Sequence, residues 1–146
     1  MRIHGERRFE APPQDVYQAL TDPDAMAAAF SAIERIDAED GEWTVIARPP
    51  VPGAFRLRFS VRLEELREPE HARLVAWGKS LGGRISVDSS FDLAPDGDGT
   101  AMRWVAEVDA AGIFSGLSSQ ALGPVATHQA ERALDRLAAN LTATAR

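Results

Sequence analysis

Hydrophobic and polar positions between residues 33 and 110 alternate with period two, as they do in half-buried strands. The clearest run is 55–63, where every odd position is apolar and arginines occupy positions 56, 58 and 62. Similar alternation runs through 43–47, 85–93 and 102–108. Turn residues interrupt the pattern at Asp40-Gly41, Glu68-Pro69-Glu70, Gly82-Gly83 and Asp96-Gly97-Asp98-Gly99. The pattern therefore predicts an antiparallel meander with one apolar face.

A first strand and two short helices are predicted before this meander. Residues 2–9 are consistent with a strand, and the prolines that precede Gln14 are typical of a helix start. Asp22 is a good N-cap, and Pro23 suits the first position of a second helix. Because prolines and a capping residue stand so close together, both helices are expected to be short.

The alternation stops after Gly112, and the Ala- and Leu-rich remainder predicts a long C-terminal helix. One apolar stripe reaches Val125 and another begins at Leu134, and in a straight helix these two residues face opposite ways. Gly123-Pro124 lies between them and predicts a kink or break that would let both stripes face the sheet. The predicted fold class is thus α+β: a curved, seven-stranded antiparallel sheet, two short helices after the first strand, and one long C-terminal helix.

Composition and charge narrow the class of protein. The 146 residues are 45% hydrophobic and 26% charged, which predicts a single globular domain over 1–146 with no transmembrane segment. A net charge of −6 argues against non-specific binding to nucleic acid or anionic lipid, although local basic patches remain open. The absence of cysteine excludes disulfides and thiolate chemistry. The N-terminus lacks the apolar core of a signal peptide, which predicts a cytoplasmic protein.

Candidate catalytic and metal-binding groups are sparse. The histidines His4, His71 and His128 are far apart, and none has a neighbour at the spacing that metal ligands need. No metal or cofactor is therefore expected, and no catalytic residue is assigned. The arginines at 48, 56, 58 and 62 form a basic stripe on the outer sheet face, which we interpret as a solvated strand face.

The inner face of the sheet is the candidate site. Large apolar residues lie toward the strand ends, while the smaller Ala47, Ser89 and Ala106 are central, so a hollow is expected beneath the helix. The residues predicted to line this ligand pocket are Trp43, Ala47, Phe55, Phe59, Ser89, Phe91, Met102, Trp104 and Ala106 from the sheet, with Leu117 and His128 from the C-terminal segment.

Several short motifs, in a fixed order along nearly the whole chain, resemble those of a known superfamily. They are Gly5, Phe9, Pro12, Asp15-Val16-Tyr17, Leu20, Asp22-Pro23, Gly82-Gly83, Phe91-Asp92-Leu93, Gly99-Thr100, Trp104 and Gly112. With the predicted element order, they are similar to the helix-grip architecture of the START/polyketide-cyclase (SRPBCC) superfamily. Within it the chain resembles the family of the G-type accessory protein of carbon monoxide dehydrogenase. The resemblance implies a deep pocket between sheet and last helix that takes hydrophobic or amphipathic small molecules, often without catalysis.

Three functions remain open at this point. The leading hypothesis is non-enzymatic binding of a small hydrophobic or amphipathic molecule, because Ser89 is the only polar residue among the inward-facing positions of the predicted sheet. The alternative is a cyclase or dehydratase that uses His128, Ser89 or Tyr17. The third is an accessory subunit that docks on a carbon monoxide dehydrogenase-like oxidoreductase through the outer sheet face.

Overall fold

The computed structural model describes residues 1–48, 56–80, 82–112 and 119–144, and within these ranges the chain forms seven strands and three helices. In chain order they are β1 (Arg2–Phe9), α1 (Pro13–Leu20), α2 (Pro23–Ala29), β2 (Ile33–Glu39), β3 (Glu42–Ala47), β4 (Leu57–Arg67), β5 (His71–Ser80), β6 (Gly83–Asp96), β7 (Gly99–Gly112) and α3 (Ser119–Thr144).

All seven strands join one antiparallel sheet in the order β1-β7-β6-β5-β4-β3-β2. Strands β2 to β7 form a meander, and β1 returns beside β7, with Arg2 opposite Glu107 and Phe9 opposite Thr100. The β2–β3 hairpin turns at Asp40 and Gly41, which both have positive φ and so match the twist of a tight hairpin. The predicted fold class is confirmed.

The period-two pattern correctly assigns the two faces of the sheet. On β7, Met102, Trp104 and Ala106 are buried on the inner face, while Arg103 and Glu107 between them are exposed. β4 and β5 follow the same rule in register, which places the side chain of Trp77, whose facing the sequence left ambiguous, on the outer face. One apolar face therefore runs across the sheet, and α2 and α3 pack against it.

The two short helices form as predicted. Helix α1 buries Val16, Tyr17 and Leu20. Helix α2 begins at Pro23, and Asp22 caps it because its Oδ2 accepts a hydrogen bond of 2.8 Å from the backbone N–H of Ala25. The cap supplies a partner for an N–H group that the first turn of a helix leaves unpaired.

We expect Asp22→Ala to lower the free energy of unfolding by about 1 kcal/mol, because the Ala25 N–H loses its partner. Urea denaturation of the purified variant measures this loss. The matched control is Asp24→Ala, which removes the same charge from the same helical turn but no capping hydrogen bond. An equal loss in both variants would attribute the effect to charge near the helix end rather than to the cap.

Helix α3 runs without interruption through Gly123 and Pro124, so the structure has no break there. Pro124 lies near the helix start, where the N–H that it lacks removes only one hydrogen bond from the ladder. The uninterrupted helix keeps the phase of a straight one, in which positions nine residues apart point in opposite directions. Leu134 is accordingly buried against the core while Val125 is 38% exposed, so the expectation that both stripes face the sheet is wrong.

Polar contacts fix α3 over one part of the sheet. Arg7 on β1 forms an ion pair with Asp135 on α3, and its guanidinium also lies 5.5 Å from the ring centroid of Phe9. Arg136 donates a hydrogen bond of 3.2 Å to the carbonyl oxygen of Ala29 at the end of α2. These contacts hold the second half of α3 against β1 and α2.

Candidate ligand-binding cavity

A cavity of about 360 Å³ lies between the inner face of the sheet and helices α2 and α3. The residues that line it from the sheet include Ile3, Leu74, Val87, Ser89, Phe91, Met102, Trp104, Ala106 and Val108. Those that line it from the helices are Leu20, Met26, Ala29, Phe30, Ala126, Gln129, Ala130, Ala133, Leu134 and Leu137. The walls are therefore almost entirely hydrocarbon.

Small side chains that face one another keep this space open. Ser89 on β6 lies directly opposite Ala106 on β7, and both line the cavity. Ala130 and Ala133 line it from α3. Because short side chains cannot span the distance between a sheet and a helix packed on it, the hollow between them stays unfilled.

A glycine on the edge strand determines how Trp104 forms part of the wall. Gly5 on β1 pairs with Trp104 on β7, and a Cβ atom at Gly5 would lie only 2.7 Å from the indole Nε1. The indole therefore lies across β1 at a position that no other residue type could occupy without moving it. Gly78 accommodates the ring of Phe59 in the same way, since a Cβ there would lie 2.7 Å from Phe59 Cδ1.

The few polar groups at the cavity are uncharged. The Ser89 hydroxyl donates a hydrogen bond of 3.0 Å to the carbonyl oxygen of Leu74, and the amide of Gln129 faces the cavity region from α3. None of the described lining residues has an ionisable side chain. Residues 49–55, 81 and 113–118, which the structure does not describe, contain no charged residue in the sequence.

Tyr17 lies close to the cavity but does not line it. Its ring packs edge-on against Phe91, with centroids 5.8 Å apart, and its buried hydroxyl has no hydrogen-bond partner in the described part of the chain. Burial, and secondarily the negative charge of Glu68, raise the pKa of Tyr17. The phenol therefore remains protonated at neutral pH.

The structure brings together some of the residues that the sequence assigns to the pocket. Five of them line the cavity: Ser89, Phe91, Met102, Trp104 and Ala106. Three others, Trp43, Ala47 and Phe59, lie in a second hydrophobic cluster with Val45 and Val61. His128 is exposed on α3 and does not line the cavity. Phe55 and Leu117 lie outside the described residues.

The division into two clusters explains this difference. Helix α3 packs against the cluster that contains Phe91 and Trp104, whereas Trp43 packs in the cluster at the β2–β4 side of the sheet. Met26 on α2 contacts both clusters. Strand periodicity identifies the face of a residue but not which helix covers that part of the face.

Sequence reasoning missed most of the helical wall. Ala126, Ala130, Ala133 and Leu137 line the cavity and recur at intervals of four, three and four residues, which is the spacing of one helix face. That stripe of small residues is a signal in the sequence. Large apolar residues alone do not reveal it.

No metal centre or membrane-spanning helix is found in the described ranges. His, Asp and Glu side chains there form no cluster of three that could hold a metal ion. None of the helices described combines the length and the hydropathy that crossing a bilayer requires.

Comparisons with known proteins agree with this architecture. A family model described as "Polyketide cyclase / dehydrase and lipid transport" matches residues 1–145. A conserved protein from Geobacillus kaustophilus superposes with a TM-score of 0.91 at 13% identity, covering 99% of this chain and 97% of that one. A START superfamily protein from Mycobacterium smegmatis gives 0.79 at 11% identity, covering 98% of each chain. A protein from Thermus thermophilus gives 0.76 at 17% identity over 100% of both.

These structural neighbours share too little sequence to show more than the fold. No curated protein sequence matches the chain significantly. The narrower resemblance to the G-type accessory protein of carbon monoxide dehydrogenase is not supported by any match and stays a prediction. The family model spans all but the last residue of the chain. The chain therefore belongs to the polyketide cyclase/dehydrase and lipid transport family, in the START-like superfamily that its helix-grip fold defines.

Proposed function

We propose that this protein is a non-enzymatic binding protein for a neutral hydrophobic or amphipathic small molecule, held between the sheet and α3. The observation that carries the proposal is the cavity of about 360 Å³, whose described walls are hydrocarbon apart from a few uncharged polar groups. Small-molecule sites commonly combine this size with a predominantly apolar lining and a small number of placed polar atoms.

The positions of the candidate catalytic residues favour binding over a cyclase or dehydratase reaction. Such reactions need an acid or base that reaches the substrate. His128 is exposed outside the cavity, and Tyr17 does not line it, since its ring packs against Phe91. Ser89 does line the cavity, but its hydroxyl donates to the carbonyl oxygen of Leu74 and has no basic group beside it among the described lining residues.

The lining also favours a neutral ligand over a charged one. A buried carboxylate or ammonium loses its hydration and needs an ionic or hydrogen-bonding partner in return. The described lining contains no opposite charge. Ser89 retains acceptor capacity, and Gln129 can both donate and accept, so each can hydrogen-bond a hydroxyl or carbonyl group. The expected ligand is therefore mostly hydrocarbon with an uncharged polar end.

We expect decanol to displace a neutral fluorescent probe from the protein at concentrations at least about tenfold lower than decanoate at neutral pH. The two competitors share a chain length, and only decanoate must bury a charge without an ionic partner. The difference should shrink as the pH is lowered and decanoate becomes protonated. Fluorescence titration of the folded protein measures both displacements.

Two results would contradict the proposal. Failure of the folded protein to take up any apolar probe would reject the binding function. Stronger displacement by decanoate than by decanol at neutral pH would reject the neutral ligand class. Native mass spectrometry of freshly purified protein provides an independent measurement, because a co-purified ligand would appear as a defined added mass.

A further inference from the structure

Three cations lie side by side on the outer face of the sheet. Arg58 on β4 is opposite Lys79 on β5, and Lys79 is opposite Arg84 on β6. All three are exposed. Like charges directly opposite on neighbouring strands repel one another, so this arrangement costs stability unless an anion compensates it.

No carboxylate of the protein neutralises this row. Arg58, Lys79 and Arg84 form no ion pair in the described ranges, and the residues that the structure does not describe include no Asp or Glu. Arginines nearer β2 also outnumber their partners, because Arg48 and Arg56 share Glu34 at 3.8 and 3.0 Å.

The acidic residues of the outer face are engaged elsewhere or too distant. Asp88 forms a two-pronged pair with Arg73 at 2.8 and 2.5 Å, and the same guanidinium is 3.3 Å from both Glu64 and Glu65. Asp109 is the nearest unengaged carboxylate in the described chain, but it is not within ion-pair distance of any cation. The row therefore keeps its positive charge.

An exposed tryptophan lies next to the row. Trp77 is 36% exposed, and the guanidinium of Arg62 lies 5.3 Å from its ring centroid. Trp77, Lys79, Arg84 and Asp109 line a shallow concavity of about 460 Å³. Tryptophan has an apolar body with one polar N–H and is enriched at the boundary between lipid headgroups and hydrocarbon.

We propose that the face formed by Arg58, Trp77, Lys79 and Arg84, here called the cationic face, docks the protein on an anionic phospholipid surface. The headgroup phosphates supply the negative charge that the row lacks, and Trp77 enters the interfacial layer. This docking goes beyond the proposed function and does not depend on what the cavity holds.

The surroundings favour a lipid surface over an acidic protein. A stable protein interface has an apolar core within its buried area. Trp77 is the only large exposed hydrophobic residue on this face of the described chain, and its cross-strand neighbours are Ser60 and Ser86. A headgroup layer requires no such core. The net charge of −6 does not prevent docking, because carboxylates beyond about 8 Å are largely screened at physiological ionic strength.

Co-sedimentation with lipid vesicles tests the proposal on the full chain. We expect binding to vesicles of phosphatidylcholine mixed with phosphatidylglycerol, no binding to phosphatidylcholine alone, and loss of binding at high salt. The double variant Lys79→Gln/Arg84→Gln should reduce partitioning by roughly 25-fold, or about fivefold for each charge removed.

The matched control is Arg2→Gln/Arg103→Gln, which lowers the net charge equally at exposed positions outside the cationic face. We expect this control to change partitioning by no more than about twofold, since its cations already lie near Glu107 and Glu6. An equal loss in both double variants would overturn the proposal. Both must show the circular dichroism and the apolar-probe uptake of the parent, which separates failed docking from failed ligand binding.

Trp77 provides a second measurement, because Trp43 and Trp104 are buried. Anionic vesicles should shift the tryptophan emission to shorter wavelength in the parent and not in Trp77→Phe. Absence of vesicle binding by the parent would overturn the proposal. So would a Trp77 response to inorganic phosphate or to an acidic peptide, at matched ionic strength, that anionic vesicles do not produce, because the occupant would then be a free anion or an acidic protein.

Discussion

We expect Ala106→Leu to weaken uptake of an apolar probe by at least about tenfold while leaving the melting temperature unchanged or higher. Ala106 is 7% exposed, lines the cavity and lies beside Ser89 and Ile3 on the neighbouring strands. A leucine there projects into the space that the ligand would occupy. The added contacts with the walls contribute up to about 2 kcal/mol to stability, as other cavity-filling changes do.

The matched control is Ala101→Leu on the same strand. Ala101 is exposed on the outer face, so the same added side chain should alter neither probe uptake nor the folding of the inner face. Thermal denaturation and a fluorescence titration of both variants provide the comparison. If Ala106→Leu instead destabilises the fold by about 1 to 3 kcal/mol, the site is already close-packed and the binding cavity is rejected.

We expect Gly5→Ala to destabilise the fold by about 1 to 3 kcal/mol and to weaken probe uptake at the same time. The new Cβ would lie 2.7 Å from Trp104 Nε1 and 2.8 Å from two indole carbons, so the ring must move. Trp104 lines the cavity, and the cavity is the free space beside it. One methyl group on the edge strand should therefore change both stability and binding.

A glycine elsewhere serves as the control for this substitution. Gly123 lies inside α3, and a Cβ added there would have only Met1 Sδ nearby, at an ordinary contact distance of 3.6 Å. Gly123→Ala should stabilise the protein by up to about 1 kcal/mol because alanine favours a helix. The double variant Gly5→Ala/Trp104→Phe should recover part of the lost stability, since the smaller ring relieves the collision. No recovery would show that the loss has another cause.

Much of the fold follows from local patterns. Alternation with period two identifies strands and assigns their faces whatever lies above them, which is why Met102 and Trp104 were correctly placed on the inner face. Asp22 caps α2 through a contact only three residues away, so its role is also readable in the sequence. Turn residues similarly fix where consecutive strands reverse.

The candidate site depends on contacts between distant parts of the chain. Trp43 and Trp104 follow the same strand pattern, yet they belong to different clusters, and only Trp104 lines the cavity. Their difference arises from the position of α3, which Arg7 and Asp135 help to fix across the fold. Periodicity contains no information about that position.

The sequence by itself determined the strands, their faces, the capped short helices and the family. Tertiary structure decided which part of the inner face α3 covers, and it exposed Val125 and His128 because α3 continues through Pro124. It also decided that Lys79 and Arg84, from separate strands, stand in one row with Arg58. The physical reason is that secondary structure follows from neighbours along the chain, whereas a cavity or a charged row requires the register and packing of residues that are far apart in sequence.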